Sequence, residues 1–207
     1  MGMEWFLEGL KIGVQQMTWL EAIAVFFGLL SVWYSMRRDI LVFPTGIVST
    51  IIFVYICFPA KLYADMAINV YYTAMSVYGW ILWSKKTPGE EALPVSYNSQ
   101  RENVITAFFL IGSFAFWYYI LTQHTDSDVP LWDSLTTAIF IVGMWLMAKK
   151  KVENWVAWIV GDLISVPLYF YKGLLLASFQ FFIFTIIAVI GLVAWINDVK
   201  QQTKEAV

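Results

Sequence analysis

Five polar and aromatic residues recur at helical spacing within an apolar stretch of the C-terminal half. They are Trp155, Trp158, Asp162, Ser165 and Tyr169, at i, i+3, i+7, i+10 and i+14. This spacing places all five on one face of an α-helix. A tryptophan face can hold a cation, and a carboxylate can balance its charge. The pattern therefore predicts a contact surface for a polar or cationic solute.

A second stripe of the same character lies in the N-terminal half, at i, i+4, i+7, i+11 and i+15. Its members are Asp65, Asn69, Tyr72, Ser76 and Trp80. Asparagine can both donate and accept hydrogen bonds to hydroxyls or an amide. The alternative is that such residues only join neighbouring helices, and Asp65 could simply pair with Lys61. The two stripes are expected to face each other across one site.

The candidate solute contacts combine both stripes with the single amide of the last apolar run. Asp162 is the most informative of them, because a carboxylate at the centre of a bilayer costs at least about 2.5 kcal/mol. Its alternative role is a hydrogen bond to a neighbouring helix that locks the bundle. The candidates are Trp158, Asp162, Asn69, Gln180, Tyr72, Ser165, Tyr169 and Ser76.

Composition shows what kind of elements must position these residues. Of the 207 residues, 60% are hydrophobic and only 14% are charged, which is too little charge to cover a soluble domain. The formal net charge of −2 gives no reason to expect nucleic-acid binding. One cysteine, Cys57, and one histidine, His124, leave no basis for a disulfide, a metal cluster or a catalytic triad. We expect an integral membrane protein that is not an enzyme and carries no cofactor.

Seven apolar runs approach the roughly 20 residues that a transmembrane helix needs. In lipid they must be helical, because only helices satisfy their own backbone groups within one segment. The segment before Thr18 alternates apolar and charged residues and suits a short interfacial helix. The runs are 19–36, 40–58, 64–83, 104–121, 132–148, 154–171 and 175–196.

Lysine and arginine counts predict the orientation, since cytoplasmic loops carry the excess of these residues. Ten lie in alternate loops and the C-terminal tail on one side, and three lie on the other. The N-terminus is therefore expected outside and the C-terminus in the cytoplasm. The ten are Arg37, Arg38, Lys85, Lys86, Arg101, Lys149, Lys150, Lys151, Lys200 and Lys204.

The two halves of the chain resemble each other at a shift of 115 residues. Gly46 falls on Gly161 and Trp80 on Trp195, with a shorter shift of about 111 near Lys61 and Lys172. A unit of three helices ends on the opposite side from its start, so the run between the copies restores the orientation. The prediction is an all-α 3+1+3 architecture with parallel repeats around a midplane site. Its parts are an N-terminal segment 1–17, a first repeat 18–84, a loop and linker helix 85–131, a second repeat 132–197 and a tail 198–207.

Three stretches carry a resemblance to a known family along nearly the whole chain. The chain resembles the PnuC family of bacterial vitamin transporters, whose fold is similar to that of the SWEET sugar transporters. The resemblance implies solute contacts at Trp158 and Asp162, where the family motif reads Trp and Asn, and at Asn69, where relatives often have Gln. The stretches are RRDILVFPTGIVST (37–50), KLYADMAINVYYTAMSVYGWILW (61–83) and ENWVAWIVGDLISVPLYFYKGLLLA (153–177).

The resemblance also implies an activity and its partners. The family takes up an unphosphorylated vitamin across the bacterial cytoplasmic membrane by facilitated diffusion, and a cytoplasmic kinase then traps it by phosphorylation. Nicotinamide riboside is the best-known substrate, and relatives are assigned thiamine, riboflavin or deoxynucleosides. The first two are cationic heteroaromatics and suit Asp162, whereas neutral riboflavin suits it less. A thiamine transporter, a proton-coupled carrier and a non-transporting membrane scaffold stay open as alternatives, as does association into a homo-oligomer.

Overall fold

The computed structural model describes residues 2–59, 63–85 and 93–205, and within these ranges the chain is all-α with no β-strand. Lys61 and Lys86 lie outside the described residues, and so does the expected pairing of Lys61 with Asp65. Eight helices follow one another: α1 Gly2–Gln16, α2 Trp19–Met36, α3 Val42–Cys57, α4 Tyr63–Ser84, α5 Gln100–His124, α6 Pro130–Ala148, α7 Glu153–Tyr171 and α8 Leu175–Glu205.

Helices α2 to α8 coincide with the seven apolar runs, and α1 covers the segment expected to be interfacial. Four helices in the described part of the chain are long and apolar enough to cross a membrane, namely α2, α5, α6 and α8. Helix α3 is also apolar but shorter. Helices α4 and α7 carry the two polar stripes, and these polar side chains lower the mean hydropathy of both helices.

The helix ends follow from local sequence. Thr18 and Ser99 each accept a hydrogen bond from the backbone three residues on, and Glu21 and Glu102 reciprocate to form capping boxes. Such boxes satisfy backbone donors that a helix start would leave unpaired. Helices α2 and α6 end near Arg38 and Lys150, which lie in the left-handed region with φ of 59° and 58°, and α7 ends likewise near Gly173. These caps stop each helix sharply, so the next one can return antiparallel.

Six helices form a closed ring. Within each half the packing runs from α2 to α3 to α4 and from α6 to α7 to α8. Between the halves α4 packs on α6 and α8 packs on α2, which closes the ring. Helix α5 lies outside against α6, and α1 lies outside against α8. The ring encloses the space that both polar stripes face.

The same contacts recur in the two halves. The rings of Phe43 and Trp83 meet edge to face at a centroid distance of 4.9 Å, and those of Trp155 and Trp195 do so at 5.5 Å. A side chain on Gly79 would collide with the Phe43 ring, and one on Gly191 would collide with the Trp155 ring. A single difference in residue number relates Phe43 to Trp155, Trp83 to Trp195 and Gly79 to Gly191. We call this difference the contact offset.

The longer shift predicted from sequence, which pairs Trp80 with Trp195, is therefore wrong for these contacts. Trp80 is 41% exposed, whereas Trp83 and Trp195 are buried. The longer shift also matched Gly46 with Gly161, whereas the contact offset relates Gly46 to Trp158. Apolar sequences match easily at several shifts, and only buried contacts distinguish among them.

The second part of the hydrophilic link packs on the turn between α6 and α7. The backbone N–H of Ser96 donates to the carbonyl of Lys150 at 3.2 Å, and the N–H of Val152 donates to the carbonyl of Ser96 at 3.0 Å. Val95 is buried there, and Lys151 pairs with Glu102 at 3.0 Å. This segment ties the start of α5 to the basic end of the second half.

Candidate functional site

The helix ring encloses a cavity of about 360 Å³. It extends from Asp65 and Tyr169 at one end to Met147 and Trp155 at the other. The structure brings all eight predicted site residues to its lining, which are Trp158, Asp162, Asn69, Gln180, Tyr72, Ser165, Tyr169 and Ser76. Trp80, the last member of the α4 stripe, is not among the lining residues and lies on the outer surface.

Three of the cavity-lining residues on helix α7 have a buried polar atom with no hydrogen-bond partner among the described residues. The atoms are Oδ2 of Asp162, Oγ of Ser165 and the indole Nε1 of Trp155. The exposed fractions of these residues are 2%, 0% and 1%. An unpaired buried polar group costs about 1–3 kcal/mol, so a solute that paired with one of them would be favoured. The spacing i, i+7, i+10 along α7 places them on the cavity side of the helix.

Five aromatic side chains form one continuous surface, called here the aromatic wall. The ring of Phe140 stacks on Trp158 at 5.5 Å and on Phe181 at 5.9 Å. Tyr72 contacts Trp158 at 6.5 Å, and Tyr169 contacts Phe181 at 4.8 Å. A flat, positively charged ring is the ligand that such a surface favours.

Phe140 and Phe181 were not predicted as site residues. Both stand within the runs predicted to span the membrane, where an aromatic residue is usually a lipid-facing or packing residue. In the structure Phe140 is marked by its packing on Gly161, which provides the space for its ring. A Cβ at Gly161 would lie 2.3 Å from Cε1 of Phe140, so the glycine and the ring depend on each other.

The two amides lie on the cavity wall but do not occupy equivalent positions. The contact offset relates Asn69 to Phe181, so the expected correspondence of Asn69 with Gln180 is displaced by one position. Asn69 donates from Nδ2 to the backbone carbonyl of Asp65 at 2.9 Å, which leaves its Oδ1 as an acceptor. Both amides line the cavity and could bond polar parts of a solute.

The cavity ends differ in chemistry. At the end where α2 and α6 terminate, four buried rings form a ring cluster of Phe43, Trp83, Trp155 and Trp195. At the opposite end Lys172 pairs with Asp133 at 2.7 Å and lies over the ring of Tyr169 at 5.9 Å. One end is thus closed by buried rings, with Lys150 lying over the Trp83 ring at 4.4 Å, and the other has an ion pair beside Tyr169.

Charge inside the cavity is acidic. Among the described lining residues the charged side chains are Asp65 and Asp162, and none is lysine or arginine. The same part of the chain contains no cluster of three or more His, Cys, Asp or Glu that could hold a metal ion. The site is therefore suited to binding a cation and unsuited to binding an anion.

Comparison with known families and proteins identifies the family and the fold. Residues 18–197 match the family described as nicotinamide mononucleotide transporter. A solved structure titled as the vitamin B3 transporter PnuC has the same fold, with a TM-score of 0.69 over 95% of this chain and 91% of that one, at 22% sequence identity.

Curated relatives carry related names. The nicotinamide riboside transporter PnuC of Escherichia coli is 28% identical over 94% of this chain and 92% of its own length. The riboflavin/roseoflavin transporter RibM of Streptomyces davaonensis is 24% identical over 87% of this chain and 86% of its own length. Similar chains therefore bear the names of different vitamins.

Proposed function

The chain belongs to the nicotinamide mononucleotide transporter family, and from that premise we propose that it carries nicotinamide riboside across the bacterial cytoplasmic membrane. The observation that carries the proposal is the unpartnered carboxylate oxygen of Asp162 beside the aromatic wall. Nicotinamide riboside joins a positively charged aromatic ring to a ribose, and each part finds a matching surface. The volume of about 360 Å³ lies at the lower end of the roughly 300–1,000 Å³ typical of small-molecule sites.

The acidic lining favours the riboside over the phosphorylated nucleotide. A phosphate would enter a site where Asp65 and Asp162 are the charged side chains described. An unpaired anion near a carboxylate in a medium of low dielectric is repelled by several kcal/mol. Transport of the unphosphorylated form also explains how a cytoplasmic kinase traps the product, because the added phosphate prevents return.

Thiamine is the second candidate, since it also carries a cationic heteroaromatic ring. The aromatic wall and Asp162 suit it for the same reason. Riboflavin is neutral, so it would leave the Asp162 carboxylate without a compensating charge. The relative from Streptomyces davaonensis is named for riboflavin, but the charge in this cavity argues for a cation.

The proposed topology has seven spans, α2 to α8, in two parallel three-helix repeats of the SWEET type. The repeats are 18–84 and 132–197, joined through a segment 85–131 that contains the linker helix, with an N-terminal segment 1–17 on the membrane surface and a tail 198–207. The contacts that recur at the contact offset support this arrangement. Basic residues at the ends of α2 and α6 favour a cytoplasmic location for the ring cluster and an external N-terminus.

The proposed mechanism is alternating access by facilitated diffusion. The two halves rock around the cavity, and separation of the ring cluster opens it to the cytoplasm. No phosphate-binding loop occurs in the sequence, so the concentration gradient, maintained by the cytoplasmic kinase, drives uptake. A proton-coupled carrier using Asp162 is the competing mechanism, and it predicts that a protonophore abolishes uptake into proteoliposomes.

Ligand titration of the purified protein tests the proposal. Quenching of tryptophan fluorescence is followed on adding nicotinamide riboside, its mononucleotide, thiamine or riboflavin. We expect saturable binding of the riboside and at least tenfold weaker binding of the mononucleotide. Asp162→Ala should weaken riboside binding by about 10–100-fold, about 1.4–2.8 kcal/mol, and Asp162→Asn should lie between Ala and wild type because it keeps a hydrogen bond without the charge.

The matched control is Asp126→Ala, which removes an exposed carboxylate outside the cavity. Its riboside affinity should equal that of wild type. Binding of thiamine alone would transfer the proposal to thiamine. Binding of none of the four ligands to folded protein would contradict it and favour the scaffold alternative.

A further inference from the structure

The two halves of the chain line the cavity with residues of different size at two pairs of corresponding positions. The contact offset relates Gly28 of α2 to Phe140 of α6, and Gly46 of α3 to Trp158 of α7. All four line the cavity. The second half thus carries large rings at the two positions where the first half has no side chain.

The residues that pack against these positions also differ between the halves. Phe140 packs on Gly161, and the related position in the first half is Ser49, whose Oγ would lie 3.2 Å from a Cβ on Gly28. The second half therefore has a ring packed on a glycine, Phe140 on Gly161, where the first half has Gly28 beside the hydroxyl of Ser49. The sequence spacing and the contact geometry therefore agree on the same correspondence.

The corresponding residues Gly46 and Trp158 differ in size in the same way, and so do the residues that pack against them. Trp158 packs on Gly143, where a Cβ would lie 3.3 Å from the indole. The position related to Gly143 is Ser31, whose Oγ would lie 2.9 Å from a Cβ on Gly46. Ser31 donates to the carbonyl of Val42 at 2.8 Å and keeps lone pairs that can accept.

Each half contributes one carboxylate to the described lining, Asp65 from α4 and Asp162 from α7. Asp162 corresponds to Thr50, which is paired through its hydroxyl with Thr73 at 2.7 Å. Asp162 therefore stands in the half that holds the rings Phe140 and Trp158. The first half presents small hydroxyl residues at Ser31, Ser49, Thr50 and Ser76, and its rings in the described lining are Phe53 and Tyr72.

We propose that Gly28 and Gly46 determine specificity by leaving open the half of the cavity that receives the hydroxylated part of the solute. The aromatic ring and its positive charge then lie against the second half, at Phe140, Trp158 and Asp162. This inference rests on the proposed function, because it assumes a solute made of a cationic ring and a polyol. It predicts that filling the first half excludes the sugar while the bare ring still binds.

Close helix packing is the competing role for these glycines, since small residues let membrane helices approach. Packing alone predicts that a side chain at Gly28 lowers stability and affects every ligand equally. The proposed role predicts an effect that depends on the size of the ligand. Gly28 is the better position to test, because the one described atom of another helix within 4 Å of a Cβ there is Oγ of Ser49. A side chain at this position would extend into the cavity.

The test compares two probes that share one ring. Nicotinamide riboside carries the ribose, and 1-methylnicotinamide carries a methyl group in its place. Gly28→Leu should weaken riboside binding at least tenfold and change methylnicotinamide binding less than twofold. Gly28→Ala should weaken riboside binding by a smaller factor in the same direction, and it serves if the leucine variant does not fold.

Gly112→Leu is the control. This glycine lies on α5, a Cβ there has no described neighbour within 4 Å, and the residue is not on the cavity lining. Both probes should bind this variant as they bind wild type.

Three results would overturn the inference. The first is an equal loss of both probes in folded Gly28 variants, and the second is unchanged riboside binding in them. The third is wild-type protein that binds the riboside but not millimolar methylnicotinamide, because the aromatic half would then not hold the ring. Failure of wild type to bind either probe is a different outcome, since it contradicts the proposed function itself.

Discussion

Trp83 and Trp195 make similar hydrogen bonds in opposite directions between the two halves, to acceptors one position apart in the contact offset. The indole N–H of Trp83 donates to the carbonyl of Ala148 at 3.1 Å, and that of Trp195 donates to the carbonyl of Ser35, also at 3.1 Å. Their ring centroids lie 6.3 Å apart. Each half is therefore fastened to the other at the same end, and the two bonds must break together when the halves separate there.

Replacing either tryptophan with phenylalanine tests this reciprocity. Trp83→Phe and Trp195→Phe each remove one buried hydrogen bond from an indole N–H to a carbonyl, which contributes about 0.5–1.5 kcal/mol. We expect both variants to unfold at a lower temperature, by similar amounts, when circular dichroism is followed in detergent. Trp19→Phe is the control, because Trp19 is 86% exposed. Strongly unequal effects of the two substitutions would show that the contacts are not equivalent.

A pair of glycines provides a second test of the recurring contacts. A Cβ on Gly79 would lie 2.4 Å from the ring of Phe43, and one on Gly191 would lie 2.6 Å from the ring of Trp155. Alanine at either position overpacks the ring cluster and should cost about 1–3 kcal/mol. Gly112→Ala should leave the unfolding temperature unchanged, because its Cβ meets no described neighbour. If all three variants behave alike, the close ring–glycine contacts do not contribute to stability.

The orientation predicted from basic residues can be tested by cysteine labelling. The chain has one cysteine, Cys57, which is buried, so Cys57→Ser provides a background for new positions. Asp126→Cys and Gln201→Cys place exposed thiols at opposite ends of the structure. An impermeant maleimide should label the first in intact cells and the second only after permeabilisation. The reverse pattern would invert the topology.

Much of the architecture could be predicted because lipid permits few solutions. An apolar run in a bilayer must be a helix, so the positions of α2 to α8 followed from hydropathy. The polar stripe on α7 could also be predicted, because helical periodicity alone brings Trp158 and Asp162 to one face. Their convergence on a cavity with Asn69 and Gln180 agrees with the predicted site, and their contact with a solute stays a prediction.

The register between the halves could not be predicted from the sequence. Apolar residues match one another at several shifts, and sequence similarity favoured Trp80 as the partner of Trp195 although Trp83 makes the buried contact. Phe140 was missed for a related reason, because a phenylalanine in an apolar run looks the same whether it faces lipid, a neighbouring helix or a cavity.

The helices and the faces that they turn inward can be read from the sequence alone, because both depend on local periodicity and on the cost of polar groups in lipid. Which half supplies rings and which supplies space at corresponding positions follows only from the packing of the helices. That division depends on pairs such as Gly28 with Ser49 and Phe140 with Gly161, which lie on different helices. Side chains from separate helices share one volume, and only their packing determines which of them fills it.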